Sequence, residues 1–344
     1  MDDLSRTDSQ RSIMNLSAPD FGFLGAPIHS DLSTLEADFA FLGIPHGSPS
    51  EMRDVFSEAS KAPAALRDVA RRHGLLADTE FYDFDLGGPL LPTEDVRLVD
   101  CGDVQGDPRD LEATKQWGTE AIQMILNRGT IPLVIGGDDS IPPIVLRAFE
   151  GREPLNVLQV DAHLDFRDEL MGVHDGYASP MRRVSEMAWV DRIFQVGLRG
   201  AGSSRAADVE AALACGNILI TANDVHENSA QWVLNQLPIA EPWFITIDCD
   251  GLDPTIAPGT GYPLPGGLSF CQVQSLIEGL TNGGRVAGIA VTEHYPSLDV
   301  RSLTAITITR LFMVFIGLSA RVAKGRERAS TGSIIHTRDE IETA

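Results

Sequence analysis

The chain has 344 residues, 43% hydrophobic and 22% charged, which is ordinary globular usage and enough to build one large α/β unit. Its formal net charge of −22, from 27 basic and 49 acidic residues, would repel nucleic-acid phosphates and attract a cationic ligand or metal ions. The acidic, polar start is unlike a signal peptide, and the longest apolar run, Leu311–Leu318, is far short of the roughly 18 residues of a membrane span, so a cytoplasmic protein without a membrane partner is expected.

Residues 1–37, mixed and rich in Asp, Ser and Pro, read as an irregular arm. Strand-type segments then follow at Asp38–Ile44, Arg97–Cys101, Ile131–Ile135, Asn156–Val160, Arg192–Val196, Asn217–Ile220, Pro242–Ile247 and Arg285–Val291. Helical patterns lie between them at Pro63–Arg72, Leu111–Asn127, Ala206–Ala214 and Cys271–Leu280, and a helix over Thr304–Leu318 follows the last strand. Short apolar strands alternating with helices predict one mainly parallel, eight-stranded α/β sheet covered on both faces. Runs such as Pro132-Leu133-Val134-Ile135 lack polar alternation, as doubly covered strands should. The reading is a single domain over 38–320, with a charged, Ser/Thr-rich tail at 321–344, disordered or an oligomer contact. Cys101, Cys215, Cys249 and Cys271 stand far apart without a C-x-x-C pair, which argues against a disulfide framework or a thiolate zinc cage.

Four acidic clusters each follow a predicted strand: Gly136-Gly137-Asp138-Asp139-Ser140, Asp161-Ala162-His163-Leu164-Asp165, Asp248-Cys249-Asp250-Gly251-Leu252-Asp253-Pro254, and Glu293. Ligands of parallel α/β sheets bind at the carboxyl ends of strands, so the four clusters converge on one site. Residues two apart on extended backbone share a face, which aims Asp161, His163 and Asp165 into one cleft and sets Asp248 beside Asp250. Asp138 or Asp139 also has a simpler reading, as the cap of the following helix.

Five carboxylates and an imidazole pressed together would repel unless cations compensate. Oxygen-rich ligation with one imidazole suits Mn²⁺ and similar ions. Six ligands fit two ions sharing bridging carboxylates, a pair that typically sits roughly 3.5–4 Å apart and delivers a hydroxide nucleophile at neutral pH.

In order and spacing these clusters resemble the signatures of the ureohydrolase (arginase/agmatinase) family, G-G-D-H-S, D-A-H-x-D and S/T-x-D-x-D-x-x-D-P. Val99-Asp100-Cys101-Gly102-Asp103 resembles the agmatinase branch. The similarity spans about residues 38–318 and implies the three-layer arginase fold, a two-metal centre of Mn²⁺ or Ni²⁺, and homo-trimers or hexamers. By position, it implies one ion on Asp139, Asp161, Asp165 and Asp248 and the other on His163, Asp161, Asp248 and Asp250. Glu293 matches the glutamate that pairs with the substrate guanidinium.

The sequence departs from that pattern in places. Position 139 is Asp where most of the family has His, leaving five carboxylates against two divalent ions and favouring a cationic guanidino substrate. The family's proton-shuttling His is replaced by Tyr177, with His174 three residues upstream as a substitute. Tyr177-x-Ser179-Pro180-Met181-Arg182-Arg183 looks like the branch that contains guanidine, guanidino-acid and biguanide (metformin-type) hydrolases. His294 either shapes the pocket or faces outward. Pro45-His46-Gly47-Ser48-Pro49 begins a substrate-side loop without the Gly-rich, Arg-containing stretch usual in agmatinases. The implied activity is hydrolysis of a guanidine, alkylguanidine, agmatine or biguanide to urea or guanylurea plus an amine. The alternative is a catalytically silent subunit of a heteromer with a paralogous partner.

Overall fold

Along the central strands, neighbouring residues bury into different layers. Phe39 and Phe41 pack with the helices at Ala62–Ala70, Phe270–Gly283 and Leu303–Ala323. Ala40, Leu42 and Ile44 pack with those at Leu111–Asn127, Ile141–Arg147 and Pro180–Ser185. That period of two, with both sides apolar, makes a sheet sandwiched between helical layers. The computed structural model describes residues 16–48, 58–73, 82–92, 95–106, 110–202 and 204–325.

The strands in chain order are β1 (Leu16–Ser17), β2 (Phe39–Ile44), β3 (Tyr82–Asp83), β4 (Gly88–Pro89), β5 (Leu98–Val104), β6 (Ile131–Gly136), β7 (Leu155–Val160), β8 (Val190–Leu198), β9 (Ile218–Thr221), β10 (Pro242–Asp248) and β11 (Arg285–Thr292). β3 and β4 form a separate hairpin, and the rest one sheet in the order β1-β5-β2-β6-β11-β10-β7-β8-β9. All pairings in the large sheet are parallel except β1 with β5. The strands ending in the four acidic clusters, β6, β11, β10 and β7, are consecutive at its centre.

The sheet therefore has nine strands rather than eight. The added one, β1, is two residues long and pairs Leu16 with Val104, too short to leave a hydropathy pattern. The arm is correspondingly not irregular throughout. Phe23 is fully buried, stacks on Phe41 at 4.2 Å between ring centroids, and donates its N–H to Asp100 Oδ2 at 2.7 Å. Residues 1–15 lie outside the described residues.

At the other end, the last helix runs on to Ala323, so Arg321 is not part of a polar tail. Arg321 is buried and donates to the carbonyls of Leu90 and Gly317, which is why a charged residue continues the helix. Residues 326–344 are outside the described set. The helix Leu303–Ala323 is long and apolar enough to cross a membrane, but 78% of its most apolar window is buried within the protein. The helix expected at Cys271–Leu280 begins one residue earlier because Ser269 and Gln272 form a reciprocal capping box.

Asp100 and Asp103 serve the fold. Arg67 donates to both oxygens of Asp100, at 2.8 and 2.9 Å, and to Asp103 at 2.7 Å, which ties Ala62–Ala70 to β5.

Candidate metal centre

Beyond β6 the chain turns sharply across the 45–48 loop. A Cβ on Gly137 would lie 1.7 Å from the His46 carbonyl oxygen, so only glycine fits. Asp138 locks the turn. Its Oδ2 accepts from Ser48 N–H and Oγ, and its Oδ1 from Ser140 N–H and Oγ. Ser140, at the start of the helix Ile141–Arg147, makes no side-chain cap bond. Asp139 points the other way. Its Oδ1 accepts from Thr292 Oγ1 at 2.7 Å, and its buried Oδ2 has no hydrogen-bond partner.

Beyond β7, Asp161 is fully buried, with Oδ1 accepting from His163 N–H and Oδ2 from Gln159 Nε2, both at 2.6 Å. Asp165 has a left-handed φ of 46°. Beyond β10, Asp248 Oδ1 accepts from Asp250 N–H at 2.7 Å, and Asp250 Oδ2 lies 3.0 Å from His163 Nδ1. A Cβ on Gly251 would stand 2.6 Å from Asp161 N, so the absent side chain brings the two acidic turns together. Beyond β11, Glu293 also has a left-handed φ, 59°. Its N–H donates to Gly137 O, and its Oε1 accepts from Asp139 N–H at 3.0 Å. Such backbone strain, on the order of 1–3 kcal/mol per residue, is held where the surroundings over-determine it, commonly at functional sites.

Two ligand groups result. Asp139, Asp161, Asp165 and Asp248 form one, and Asp161, His163 and Asp250 the other, with candidate ligand atoms in each within 4.8 Å of one another. Asp161 belongs to both, Asp248 only to the first. Burial, then neighbouring carboxylates, pushes the carboxyls of Asp139, Asp161 and Asp248 well above the usual range, and burial drives Asp165 up to about 7. The partnerless Asp139 Oδ2 completes the picture. This donor set fits two oxygen-preferring divalent ions and is poorly satisfied without them.

The other expected residues are distributed differently. His174 is exposed, with Nδ1 3.2 Å from the Asp168 carbonyl. Tyr177 is half-buried, and its backbone N–H donates to Ser48 Oγ at 3.1 Å, which ties its own loop to the one that braces Asp138. His294 does not face outward. It is fully buried, with Nδ1 3.3 Å from Gly259 O and Nε2 4.0 Å from Asp299, and burial lowers its pKa. Arg182 lies over the Phe166 ring and pairs with Glu186, and Arg167 reaches the Gly202 carbonyl. Pro49 falls outside the described residues.

Sequence reasoning passed over three supports. Thr292 and Gln159 hold Asp139 and Asp161. Arg199 donates to the carbonyls of Asp250, Leu252 and Leu264 beneath the Asp250 turn. Only Gln159 left a signal, a polar side chain in an apolar strand two residues before Asp161, hence on its face.

Residues 37–317 match the sequence profile of the Arginase family. The chain is 29% identical over 290 residues to an agmatinase of Pyrococcus horikoshii, covering 83% of this chain and 93% of the relative. It is 32% identical over 240 residues to a guanidinopropionase of Pseudomonas aeruginosa, covering 68% and 75%. Among solved structures, proclavaminate amidino hydrolase from Streptomyces clavuligerus superposes with a TM-score of 0.73 at 25% identity, covering 88% of this chain and 98% of that one.

Proposed function

From the premise that this chain belongs to the arginase family, we propose a two-metal hydrolase acting on a small cationic guanidino compound. Hydrolysis of carbon–nitrogen bonds in linear amidines is the family's chemistry and this chain's. One observation carries the finer reading: two ligand groups sharing Asp161 converge at the ends of the central strands, with the buried Glu293 carboxylate at their edge. Asp139, Asp161, Asp165 and Asp248 would hold one ion, and Asp161, His163 and Asp250 the other. Mn²⁺ is the first choice on donor hardness and Ni²⁺ the second. When bound, such ions supply a water-derived nucleophile at neutral pH and polarise the carbon under attack.

The chain's own residues do the rest. Glu293 orients the substrate by pairing with its guanidinium. The backbone N–H of Asp139 fixes the Glu293 carboxylate, and burial keeps bulk water from screening that pair. The leaving amine takes a proton from the Asp168–Tyr177 loop, with His174 or Tyr177 the donor. Loss of the true donor should lower kcat by about 100-fold or more while KM changes little, in steady-state assays of His174→Ala, Tyr177→Phe and the double variant. Wild-type turnover in all three would place the relay elsewhere.

Charge supports a substrate without a carboxylate. Among the described residues, Arg167 and Arg182 engage partners outside the acidic cluster, and Arg199 donates to backbone carbonyls. The test is Mn²⁺-reconstituted protein offered guanidine, methylguanidine, agmatine, metformin, 4-guanidinobutyrate and arginine, with urea or guanylurea measured. Guanidine, an alkylguanidine, agmatine or the biguanide should give the highest kcat/KM. Preference for 4-guanidinobutyrate or arginine over every non-acidic compound, at equal metal loading, would overturn the charge argument.

A second reading, a silent subunit of a heteromer, draws on Asp139 and Tyr177 where the family has His. Turnover by the purified chain alone would end it. A single catalytic domain over 38–320, a homo-trimer or hexamer, and a cytoplasmic location that suits four free cysteines complete the proposal.

A further inference from the structure

An unbroken file of buried amides crosses the sheet beneath Asp161. Gln159 on β7 and Gln195 on β8 are register partners, and Asn217 immediately precedes β9. All three are buried, Gln195 completely. Asn217 Nδ2 donates to Gln195 Oε1 at 2.9 Å, Gln195 Nε2 to Gln159 Oε1 at 2.6 Å, and Gln159 Nε2 to Asp161 Oδ2 at 2.6 Å.

The direction of this file is fixed by one carbonyl. Gln195 Nε2 also donates to Leu164 O at 2.7 Å. A backbone carbonyl only accepts, so that end of the Gln195 amide must be the nitrogen. Its two N–H groups then serve Leu164 O and Gln159 Oε1, and its oxygen is left for Asn217. Gln159 therefore accepts on its oxygen and presents N–H to Asp161. Turning any amide over would set two donors or two acceptors against each other in a dry interior, which is costly.

We propose that Gln159, oriented by Gln195 and Asn217, is a positioning residue for the shared carboxylate of the two-ion centre. Asp161 Oδ2 carries the Gln159 N–H, and Oδ1 carries the His163 N–H. Each oxygen thus has one fixed donor and one remaining lone-pair direction for a cation. This rests on the two-ion reading above and deepens it. The amide file is what presents Asp161 to both ions at once, rather than letting it rotate toward one.

The test is Mn²⁺ binding without substrate, with free Mn²⁺ followed by its EPR signal, on wild type, Gln159→Met and Gln195→Met, and thermal unfolding in EDTA as the control for structure. Gln159→Met should bind Mn²⁺ 10–100-fold more weakly, the usual loss when a partner of a metal ligand is removed. Its metal-free unfolding should remain a single cooperative transition, at a temperature lowered by the buried Gln195 N–H that loses its acceptor. Gln195→Met leaves the amide beside Asp161 in place but unoriented, and should lose about tenfold, the lower end of that range. If Gln159→Met fails to fold, Gln195→Met carries the test. Unchanged affinity in the folded variants, with wild type binding normally, would overturn the amide proposal alone. A wild-type chain that takes up no Mn²⁺ would overturn the two-ion reading on which it rests.

Discussion

Asp161→Ala should leave the protein without stoichiometric metal, whereas Asp248→Ala should retain one ion. Asp161 lies in both ligand groups and Asp248 in one. Elemental analysis after reconstitution with Mn²⁺ reads the difference directly. Turnover should fall by on the order of 10²–10³-fold or more in Asp161→Ala, because the groups that stabilise developing charge go with the ions. Stability should separate the metal from the fold. Without metal, Asp161 is a buried carboxylate among Asp139, Asp165, Asp248 and Asp250, so its removal relieves repulsion. In EDTA the variant should still unfold cooperatively near the wild-type temperature, because that relief offsets the acceptor lost to the Gln159 and His163 N–H groups. With Mn²⁺ at about 100 times its Kd, only wild type should gain in full, by about 2.7 kcal/mol for each ion bound. Full metal retention by Asp161→Ala would remove its shared role.

Glu293→Gln should keep both ions and lose most of the activity. The amide preserves the acceptor for Asp139 N–H, so the turn beyond β6 stays in place, but the negative charge that would meet a guanidinium is gone. Removing one member of a buried charge pair costs roughly 2–5 kcal/mol, so kcat/KM should fall by about 30-fold or more. The loss should be largest for cationic guanidines and smallest for neutral amides or ureas. Loss of metal in Glu293→Gln would make Glu293 part of the ion-binding set. Unchanged kcat/KM would remove it from substrate recognition.

Much of this molecule was written locally. Alternation of short apolar strands with helices is a pattern of neighbouring residues, so the parallel sheet could be read directly and most of the expected elements to within a few residues, while the short helices Ile141–Arg147, Pro180–Ser185, Ala222–Asn228 and Ala230–Leu234 were not. Leu111–Asn127 and Ala206–Ala214 hold to the residue. The same holds for the acidic motifs at strand ends. A period of two aims Asp161, His163 and Asp165 together, and the spacing Asp-x-Asp does the same for Asp248 and Asp250.

Tertiary structure decided what depends on partners distant in sequence. The order β6-β11-β10-β7 brings positions 139, 161, 248 and 293 side by side. Asp138 and Asp139 are chemically alike and adjacent, yet Ser48 and Ser140 take one for the turn, while Thr292 and Glu293 hold the other in the cluster. Gln159 reads as an oddity in an apolar strand until Gln195 and Asn217, from other strands, orient it. His294, beside the proposed substrate-binding glutamate, is drawn under Gly259 and Asp299. The two-residue strand β1 exists only because the edge of β5 offers it backbone partners. Local periodicity sets which face a side chain takes. Which of two equivalent carboxylates joins the acidic cluster is set by the donors that the folded chain places around each.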